Sequence, residues 1–386
     1  MDLLEYQGKE LFARHGLPVP KGIHAATVDA AVTASESLGY PVAVKAQVLI
    51  GGRGKAGGIK IAKDSTEARE YADQIMGMDI VGPHGEGPFK VHELWVEAGS
   101  DIESEFYASV ILDRSAKKLM VMLSRMGGMD VEAIAASDPD ALVKRHIDPL
   151  AGLSLEEARE ITAQAQIPAD VADQVANILV KLAEVAVEED ATLIEVNPLI
   201  VNADGEVVLL DAKVTIDGNA LFRHEELEEL PQGADQDPQE ALAKEKGLTY
   251  VSLDGNIGIL GNGAGLCMST LDVVAQAGGR PANFLDAGGG SKAEAIIDAL
   301  EVITSNPEVK AILFNIFGGI TRCDEVARGI IEATSKIGLE LPLVVRLDGT
   351  NSEEGLALLG EAGLDNLHHE STMLGAARKV VELAGN

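Results

Sequence analysis

The chain has 386 residues, 46% of them hydrophobic and 24% charged, which is typical of a globular protein long enough for two or three domains. The net charge of −31 argues against nucleic acid or an anionic membrane as a partner, because both need a basic face. No apolar stretch approaches the about 20 residues of a membrane span, and the first five residues begin an acidic helix rather than a targeting signal. We therefore expect a cytoplasmic protein, or one written without its presequence.

Two further features of the composition narrow the chemistry. Cys267 and Cys323 are the only cysteines, too few for a disulfide framework or a cysteine metal site, and we expect both to be small packing residues. The acidic surface is typical of a soluble protein, although adaptation to high internal salt gives the same composition. A chain this acidic has to bind anions such as ATP, carboxylates or coenzyme A with local cations, metal ions or helix N-termini.

The first half of the chain has the pattern of an α+β domain with a mostly antiparallel sheet. Apolar residues at helical spacing predict a helix over residues 2–15, which the Gly-Leu-Pro-Val-Pro segment ends. Further helices are predicted near 27–38, 64–77, 154–165 and 169–189. Strands are predicted at 91–97, 105–113, 118–124, 192–196, 198–202 and 206–211.

Residues 41–62, PVAVKAQVLIGGRGKAGGIKIA, combine a β-type run that carries Lys45, a glycine loop and a second β-type run. The glycines allow backbone N–H groups to face phosphate oxygens, while Arg53 and Lys55 add positive charge. A strand, a glycine loop and a strand over phosphates is the ATP-grasp arrangement, and Lys45 is placed like a phosphate-binding lysine. An ordinary glycine-rich hairpin with two cations is the alternative.

Two other phosphate-binding motifs do not fit this loop. The run from Gly52 to Gly57 matches G-x-G-x-x-G, but a dinucleotide fingerprint opens a helix, whereas the next residues, 59–61, alternate as a strand does. The Walker A motif needs Gly-Lys-Ser/Thr at a fixed spacing, which this segment lacks.

Polar residues follow β-type segments near the end of the first half. In the run 192–198, TLIEVNP, Glu195 and Asn197 lie on one face of a strand, and Asp211 ends a later run. An amide and a carboxylate at a strand end supply the hard oxygen ligands that Mg²⁺ takes together with water and nucleotide phosphates. Asn197 and Asp211 are therefore predicted to bind magnesium, with a solvated acidic sheet edge as the alternative.

Residues 225–245 are acidic, poor in apolar groups and contain two prolines, so a domain boundary is predicted there. We place the domains at 1–237 and 238–386, with a subdomain at about 21–103 that carries the glycine loop. From residue 256 the pattern becomes a βαβ alternation, which predicts a doubly wound parallel sheet of the flavodoxin or Rossmann type. Its buried strands are predicted at 257–260, 282–285, 309–316 and 342–347.

Three strand ends of this second domain carry glycine turns, at residues 261–265, 288–290 and 318–321. Ligands of open α/β sheets bind at the carboxyl ends of strands, where each helix N-terminus favours an anion by about 0.3–1 kcal/mol. Three such turns predict a phosphate or carboxylate site. No histidine of the chain lies in a glycine-rich turn suited to a covalent phospho-intermediate.

Seven motifs follow one another along both halves: GGRGKAGG, IEVNPL, LDAK, DGNALFR, GNGAGL, ANFLDAGGG and NIFGGITRCD. With them, the chain resembles over essentially its whole length the beta subunits of succinate–CoA ligase, ADP-forming (succinyl-CoA synthetase). The resemblance implies an α+β and α/β multidomain protein, in which an ATP-grasp domain precedes a flavodoxin-like CoA-ligase domain. It also implies a cytoplasmic hetero-oligomer, αβ or α2β2, whose alpha subunit binds most of the coenzyme A and carries the phosphorylated histidine.

The implied reaction belongs to the citric acid cycle and converts ATP, succinate and coenzyme A reversibly to ADP, phosphate and succinyl-CoA, with Mg²⁺ as cofactor. By matching position, Glu195 is the acid that orients the partner's histidine ring, and Pro20 favours adenine over guanine nucleotides. The resemblance also implies phosphate binding for Lys45, Gly52, Arg53 and Gly54, and base and ribose contacts for Glu97, Ser100 and Glu105. It implies magnesium binding for Asn197 and Asp211, and substrate contacts for Asn262, Gly319, Ile320 and Thr321.

One departure from the family concerns the acid substrate. Residues 124–128 read Ser-Arg-Met-Gly-Gly where the family often has Ser-Thr-Glu-Gly-Gly, and related malate–CoA ligases also vary there. A malate–CoA ligase beta subunit is therefore the alternative within the same class. A catalytically silent nucleotide-binding scaffold is the alternative from another class, but it would not need Glu195, Asn197 and Asp211 together.

Overall fold

The structure is a computed structural model and describes residues 1–83, 85, 87–129, 131, 138–230, 237–288 and 293–385. Parts of two predicted features, residues 289–290 of a glycine turn and residues 231–236 of the acidic boundary segment, lie outside these ranges. The chain forms two units, Met1–Asp235 and Gln236–Asn386, and each is described by itself. The domain bounds given above, with the subdomain at 21–103, stay a proposal.

The first unit is an α+β structure. Its helices are α1 (Glu5–Arg14), α2 (Val28–Leu38), α3 (Ser65–Ile75), α4 (Leu155–Gln164), α5 (Ala172–Glu188) and α6 (Glu225–Glu228), with short 3₁₀ helices at Pro139–Ala141 and Gly218–Arg223. Its strands are β1 (Asp2–Leu3), β2 (Gly22–Ala25), β3 (Val42–Ala46), β4 (Ile59–Ala62), β5 (Asp79–Ile80), β6 (Phe89–Lys90), β7 (Leu94–Ala98), β8 (Ile102–Asp113), β9 (Lys118–Ser124), β10 (Leu142–His146), β11 (Ala191–Asn202), β12 (Val207–Leu209) and β13 (Lys213–Ile216).

Two antiparallel sheets dominate this unit. The smaller sheet has the order β2-β7-β3-β4, and the larger has the order β1-β13-β11-β8-β9-β10, with β12 also paired to β11. Helices α4 and α5 cover the larger sheet, and Ile161 and Leu179 share one core with Ile194 and Val196. The buried residues of α5 recur three and four positions apart, which gives the helix one apolar face for the sheet. The prediction of a mostly antiparallel sheet is thus confirmed.

The second unit is a parallel α/β sheet. Its helices are α7 (Pro238–Glu245), α8 (Ala264–Gln276), α9 (Ala293–Thr304), α10 (Cys323–Ile337), α11 (Ser352–Ala362) and α12 (Met373–Leu383). Its strands are β14 (Thr249–Ser252), β15 (Ile257–Gly261), β16 (Asn283–Asp286), β17 (Ala311–Gly318), β18 (Leu343–Gly349) and β19 (Leu367–His369).

The strand order β16-β15-β17-β18-β19 is the 2-1-3-4-5 order of flavodoxin-like folds, with β14 added antiparallel to β16 at the edge. Alternate residues of the central strands enter two cores, because helices cover both faces of the sheet. Leu313, for example, packs in one core and Phe314 in the other. Of the two fold types left open above, the flavodoxin type is therefore the one that forms.

Several predicted elements need correction. Residues 2–3 are not the first turn of a helix but pair with β13 as strand β1. The strands predicted at 192–196 and 198–202 are one strand, β11, and β13 was not predicted at all. Strands of two to four residues are too short to show a period of two in sequence, and pairing with longer neighbours stabilises them. None of the described helices is long and apolar enough to cross a membrane.

Candidate active site

Asn197 and Asp211 are brought opposite each other by one interrupted strand pairing. β12 pairs with β11 in the register that sets Leu209 opposite Leu199, and β13 continues the same register further along β11. Asp211 lies in the gap between β12 and β13, so this register places it opposite Asn197. Directly opposed residues of an antiparallel pair have Cβ atoms about 4.5–5.5 Å apart. The two predicted magnesium ligands therefore come together.

The other edge of β11 carries a β-bulge at the same point. The register between β11 and β8 shifts by one residue between Val196 and Leu199, so that Asn197 and Pro198 face a single residue of β8, Tyr107. Bulges occur often beside active sites, because they change the direction of a side chain. The ladder is thus interrupted on both sides of Asn197.

Hydrogen bonds fix the orientation of the Asn197 amide. The N–H of Gly128 donates to Asn197 Oδ1 at 2.8 Å, and Asn197 Nδ2 donates to the carbonyl of Met129 at 2.9 Å. A carbonyl oxygen has two lone pairs, so Oδ1 can accept this bond and still bind a cation. Hydrogen bonds with the loop after β9 therefore determine which way the oxygen and the nitrogen of the Asn197 amide point.

Asp211 has one oxygen engaged and one open to a ligand. Its Oδ1 accepts hydrogen bonds from Arg53 and from the N–H of Ala212, both at 2.8 Å. Among the described residues none donates to Oδ2, and the side chain is 32% exposed. A carboxylate oxygen opposite an oriented amide oxygen is a donor set that suits Mg²⁺, which needs few protein ligands.

Three cations and three carboxylates, including Asp211, form a charge network whose other members are buried. Its members are Lys9, Lys45 and Arg53 with Glu5, Glu97 and Asp211. Oε1 of Glu5 lies 2.8 Å from Lys9 Nζ and 3.0 Å from Lys45 Nζ. Oε2 of Glu5 lies 2.6 Å from the Arg53 guanidinium. Glu5, on α1, is thus the one carboxylate of the network that contacts all three cations.

Glu97 closes the other side of the charge network. Its carboxylate contacts Lys9, lies 2.8 Å from Lys45 Nζ and accepts a hydrogen bond from Trp95 Nε1 at 3.0 Å. Both lysines also donate to the carbonyl of Leu210, at 2.8 and 3.0 Å. Glu97, which is expected to contact the base and ribose of a nucleotide, therefore holds Lys45, the predicted phosphate-binding lysine. The contact between Glu97 and a nucleotide stays a prediction.

The network keeps Glu5 and Lys45 charged although both are buried. Burial by itself would raise the pKa of the Glu5 carboxyl, but Arg53, Lys45 and Lys9 together hold this pKa well below its usual value. Burial would also lower the pKa of Lys45, but Glu5, Glu97 and Asp211 outweigh it and raise the pKa above that of an ordinary lysine. Lys45 is therefore a fixed cation at any physiological pH.

Sequence reasoning missed Glu5 and Lys9. Both are nearly fully buried, at 3% and 1% exposure, on the face of α1 that also contributes Phe12 to the core. Residues four apart lie on one face of a helix, so the spacing of Glu5, Lys9 and Phe12 places two opposite charges on an apolar face. Two charged residues on an apolar helix face were therefore the sequence signal that could have identified Glu5 and Lys9.

The glycine loop connects β3 and β4, as predicted, and Lys45 of β3 pairs with Ile59 of β4. The loop closes on itself, because the N–H groups of Gly57 and Gly58 donate to the carbonyls of Gly54 and Arg53. These two N–H groups are used within the loop. The side chain of Arg53 turns inward to the charge network, whereas Lys55 is exposed.

Glu105 and Ser100, the other expected nucleotide contacts, lie at the beginning of β8 and just before it. Glu105 is exposed and Ser100 is half-buried. The N–H of Gly127 donates to the Glu105 carbonyl at 3.1 Å, and a Cβ on Gly127 would lie 2.4 Å from the Phe106 carbonyl oxygen. The glycine pair 127–128 thus allows the loop after β9 to lie directly on β8 and to reach Asn197.

Glu195 lies on β11, two residues before Asn197, and is half-buried. The Tyr107 hydroxyl donates to its Oε2 at 3.3 Å. Glu195, Asn197 and Asp211 therefore surround one interruption of the sheet.

In the second unit, the predicted substrate residues lie at the carboxyl ends of β15 and β17. The side-chain amide of Asn262 makes two hydrogen bonds with the backbone of Phe317, at 2.8 and 2.9 Å. These bonds connect the turn after β15 to the end of β17. Ile320 is 88% exposed, whereas Thr321 is 1% exposed. Asn262 and the 319–321 turn therefore lie at neighbouring strand ends.

Two N–H groups of the glycine turns already have an internal acceptor. Gly263 and Gly288 donate to Oδ1 of Asp286 at 2.6 and 2.8 Å. The N–H groups predicted to attract a ligand anion thus bind, at these two positions, a carboxylate of the chain itself. The turn after β17 is held differently, since its Gly318 carbonyl accepts a hydrogen bond from the N–H of Thr350 at 3.2 Å.

Comparison with known proteins identifies the class that this fold and site define. Residues 2–201 match the ATP-grasp domain family and residues 260–380 match the CoA-ligase family. The chain is 53% identical over 384 residues to succinate–CoA ligase (ADP-forming) subunit beta of Rubrobacter xylanophilus, covering 100% of this chain and 99% of the relative. It is 50% identical over 385 residues to the protein of the same name from Natronomonas pharaonis, with the same coverage. The chain belongs to the family of ADP-forming succinate–CoA ligase beta subunits.

Solved structures agree on the fold. An ATP citrate lyase from Methanothrix soehngenii, in complex with citrate and coenzyme A, superimposes with a TM-score of 0.77 at 19% identity and covers 99% of each chain. At this identity the likeness supports the two-domain architecture alone.

Proposed function

We propose that the chain is the nucleotide-binding beta subunit of a succinate–CoA ligase. With an alpha subunit, in an αβ or α2β2 assembly, it would convert ATP, succinate and coenzyme A to ADP, phosphate and succinyl-CoA. The observation that carries the proposal is the interruption of the large sheet, where an oriented amide oxygen and an open carboxylate oxygen lie beside two buried cations. The sequence identity of 53% to a named beta subunit supports the choice of reaction.

The charge network suggests how the nucleotide is bound. Arg53 and Asp211 form an ion pair at 2.8 Å. A triphosphate would compete with Asp211 for the Arg53 guanidinium, and the freed carboxylate could then turn to a cation. Lys45 would keep its charge throughout, because Glu5 and Glu97 hold it in place.

Asn197 and Asp211 would hold Mg²⁺, which would supply positive charge against the phosphates of the nucleotide during phosphoryl transfer. Glu195 would orient a histidine ring of the alpha subunit through its carboxylate. The hydroxyl of Tyr107 limits the positions that this carboxylate can adopt. Glu97, Ser100 and Glu105 would lie toward the base and the ribose.

The second unit would bind the acid substrate and receive the phosphohistidine, with coenzyme A bound mainly by the alpha subunit. Asn262, Gly319, Ile320 and Thr321 are the proposed contacts. Ile320 is 88% exposed and Phe317, at the end of the same strand, is 54% exposed, so two apolar side chains are available there for a subunit contact. A phosphoryl carrier on the partner divides one difficult step into easier ones.

The test is thioester formation by the chain reconstituted with its alpha subunit. We expect succinyl-CoA with succinate, much less product with malate, and none without an acid or without the alpha subunit. A faster reaction with malate would replace the proposed substrate. Thioester formation by the purified chain alone would contradict the division of labour between subunits.

Pro20 leads to a separate expectation about the nucleotide. It is half-buried, and the carbonyl of the nearby Pro18 accepts a hydrogen bond from Leu209 of β12 at 2.8 Å, so this segment lies along the large sheet. We expect ATP to be used with a higher kcat/KM than GTP. Competition between the two nucleotides in the reconstituted enzyme measures this, and equal efficiencies would contradict it.

A further inference from the structure

A second group of chemically active side chains lies in the first unit, apart from the charge network. Glu189, His224 and Glu226 each offer one ligand atom, and these three atoms lie within 4.8 Å of one another. Glu189 follows α5, His224 follows the second 3₁₀ helix, and Glu226 belongs to α6. Nothing in the proposed reaction uses them.

Hydrogen bonding leaves the Nδ1 atom of His224 free to act as a ligand. Its Nε2 donates to Asp190 Oδ2 at 2.8 Å, and because a carboxylate only accepts, this nitrogen carries the proton. In the neutral ring Nδ1 then has a lone pair, and it lies 3.7 Å from Glu189 Oε2. A carboxylate behind a histidine is the common arrangement at protein metal sites, since it fixes the tautomer and the ring orientation.

Glu189 has a buried carboxylate oxygen that is available to a metal ion. The residue is 8% exposed, and its buried Oε2 accepts no hydrogen bond among the described residues. The other oxygen, Oε1, accepts from His15 Nε2 at 2.5 Å, which orients the carboxylate. An unpartnered buried carboxylate oxygen is costly, and two lone-pair atoms 3.7 Å apart favour a positive charge between them.

We propose that Glu189, His224 and Glu226 form a binding site for a divalent transition-metal ion, with Zn²⁺ as the expected occupant. Ligands about 2.0–2.1 Å from a tetrahedral zinc ion are about 3.3 Å apart, close to the observed separation of Nδ1 and Oε2. One imidazole and two carboxylates suit zinc, whereas Mg²⁺ prefers oxygen ligands alone. The ion would join the ends of α5 and α6, with Asp190 and His15 behind the ligands.

The competing explanation is a protonated His224 paired with two carboxylates and no metal. Arg223 also bonds Asp190, so the cluster already contains one permanent cation. The two explanations differ in a direct way, because only the first predicts stoichiometric metal binding.

The experiment is calorimetric titration of the full chain with ZnCl₂ in excess Mg²⁺, which occupies the oxygen-only site. We expect one zinc ion per chain at this site, at least tenfold weaker binding in Glu189→Gln and in His224→Gln, and about 10- to 100-fold weaker binding in Asp190→Asn. Glu226→Gln changes an exposed residue, so it reports on binding even if a buried substitution prevents folding. Glu228→Gln, an exposed carboxylate on the same short helix, is the matched control and should bind as the unmodified chain does.

Zinc bound elsewhere would be recognised by two further measurements. The adjacent pair His368 and His369 lies in the second unit, and replacing both by Gln should leave the high-affinity ion in place. Anomalous scattering at the zinc edge from a crystal should locate the ion between Glu189 and His224. The proposal is overturned if no zinc binds, if Glu226→Gln binds as tightly as Glu228→Gln, or if the ion lies at the histidine pair.

Discussion

At the scale of single residues, the main feature is a network of six charged side chains, of which all but Asp211 are buried. Removing charges from water costs several kcal/mol per ion, and this cost is offset only where partners and hydrogen bonds are nearly complete. Glu5 meets that condition with three cations within 3.0 Å. The network is therefore better understood as a device that holds Lys45 and Arg53 in position than as a source of net stability.

The first prediction concerns Glu5→Gln. The substitution leaves three buried cations with one carboxylate fewer, and breaking a buried pair from one side costs about 3–5 kcal/mol of unfolding free energy. Urea unfolding of the full chain measures the loss. Asp173→Asn breaks an exposed ion pair with Arg159, whose side chain is 55% exposed, and should change stability by about 1 kcal/mol or less. Equal effects of both variants would contradict the burial argument.

Glu5 also leads to a pH dependence with a definite sign. Its pKa in the folded chain is held well below the usual value by Arg53, Lys45 and Lys9 against the effect of burial. A group with a lowered pKa contributes stability above its unfolded pKa of about 4.3 and loses that contribution as the pH falls through the folded pKa. We expect the stability of the unmodified chain to fall more steeply below about pH 4 than that of Glu5→Gln. Parallel curves would contradict this.

Cysteine reactivity is a third test at this scale. Burial raises the pKa of Cys267 to about 12 and also raises that of Cys323, and both thiols are free and buried. Since the thiolate is the reactive form, we expect neither thiol of the folded chain to react rapidly with a disulfide reagent at pH 8. Both should react in urea. Rapid labelling of one thiol in the folded chain would contradict the packing role.

At the scale of secondary-structure elements, the candidate site lies where the regular pairing of β-strands is interrupted. β11 loses its regular ladder on both sides at Asn197, through the gap between β12 and β13 and through the bulge against β8. The sequence predicted β structure here and selected Asn197 and Asp211, because apolar alternation and polar strand ends are local signals; their role as magnesium ligands stays a prediction. It could not predict the bulge or the common register, which depend on how separate strands pair.

The same limit explains Glu5 and Lys9. Their helix was predicted, but Glu5 bonds Lys45 and Arg53, 40 and 48 residues away, and Lys9 bonds Glu97, 88 residues away. Only the folded chain therefore shows why two charges occupy an apolar face. The short strands β1 and β13 were missed for a related reason, since each pairs with the other across the first unit. Local elements were predictable, whereas long-range pairings were not.

The loop after β9 gives a prediction at this scale. In Gly127→Ala the new Cβ would lie 2.4 Å from the backbone of Phe106, which cannot move as a flexible side chain can. The loop should shift and lose the hydrogen bond from Gly128 to Asn197. The net value of such a bond is about 1 kcal/mol, so we expect Mg²⁺-dependent ATP binding to weaken several-fold.

Calorimetric titration with Mg·ATP measures this effect. Gly218→Ala is the matched control, because within the described part of the chain a Cβ there meets no atom within 4 Å, and the position has no left-handed backbone. It should leave the affinity unchanged. If both variants bind equally well, the loop does not orient Asn197.

At the scale of the whole molecule, each of the two units contains residues for which we propose a role in binding an anion. In the first unit, Lys45, Arg53, Asn197 and Asp211 lie around the interrupted sheet. In the second unit, the turn from Gly318 to Thr321 lies between a parallel strand and the N-terminus of α10, a common place for an anion in such sheets. Because these residues belong to different units, the two half-reactions of the proposed function should be separable by substitution.

The last prediction uses one variant in each unit. Asp211→Asn keeps the shape of the side chain and removes its charge, so ATP should phosphorylate the alpha subunit more slowly, while a prephosphorylated alpha subunit should still react with succinate and coenzyme A. Gly319→Val should do the opposite, because a β-branched side chain beside the turn hinders access to its N–H groups. A Cβ at Gly319 meets no atom of the described residues within 4 Å, so this variant is expected to fold.

Radiolabelled phosphate on the alpha subunit distinguishes the two half-reactions, with loading by ATP and discharge by succinate plus coenzyme A followed separately. We expect Asp211→Asn to slow loading by at least tenfold with normal discharge, and Gly319→Val to slow discharge with normal loading. Both variants must first be shown to assemble with the alpha subunit. If each of them loses both half-reactions equally while folded and assembled, the two units do not act as separate phosphate sites, and one composite site has to replace them.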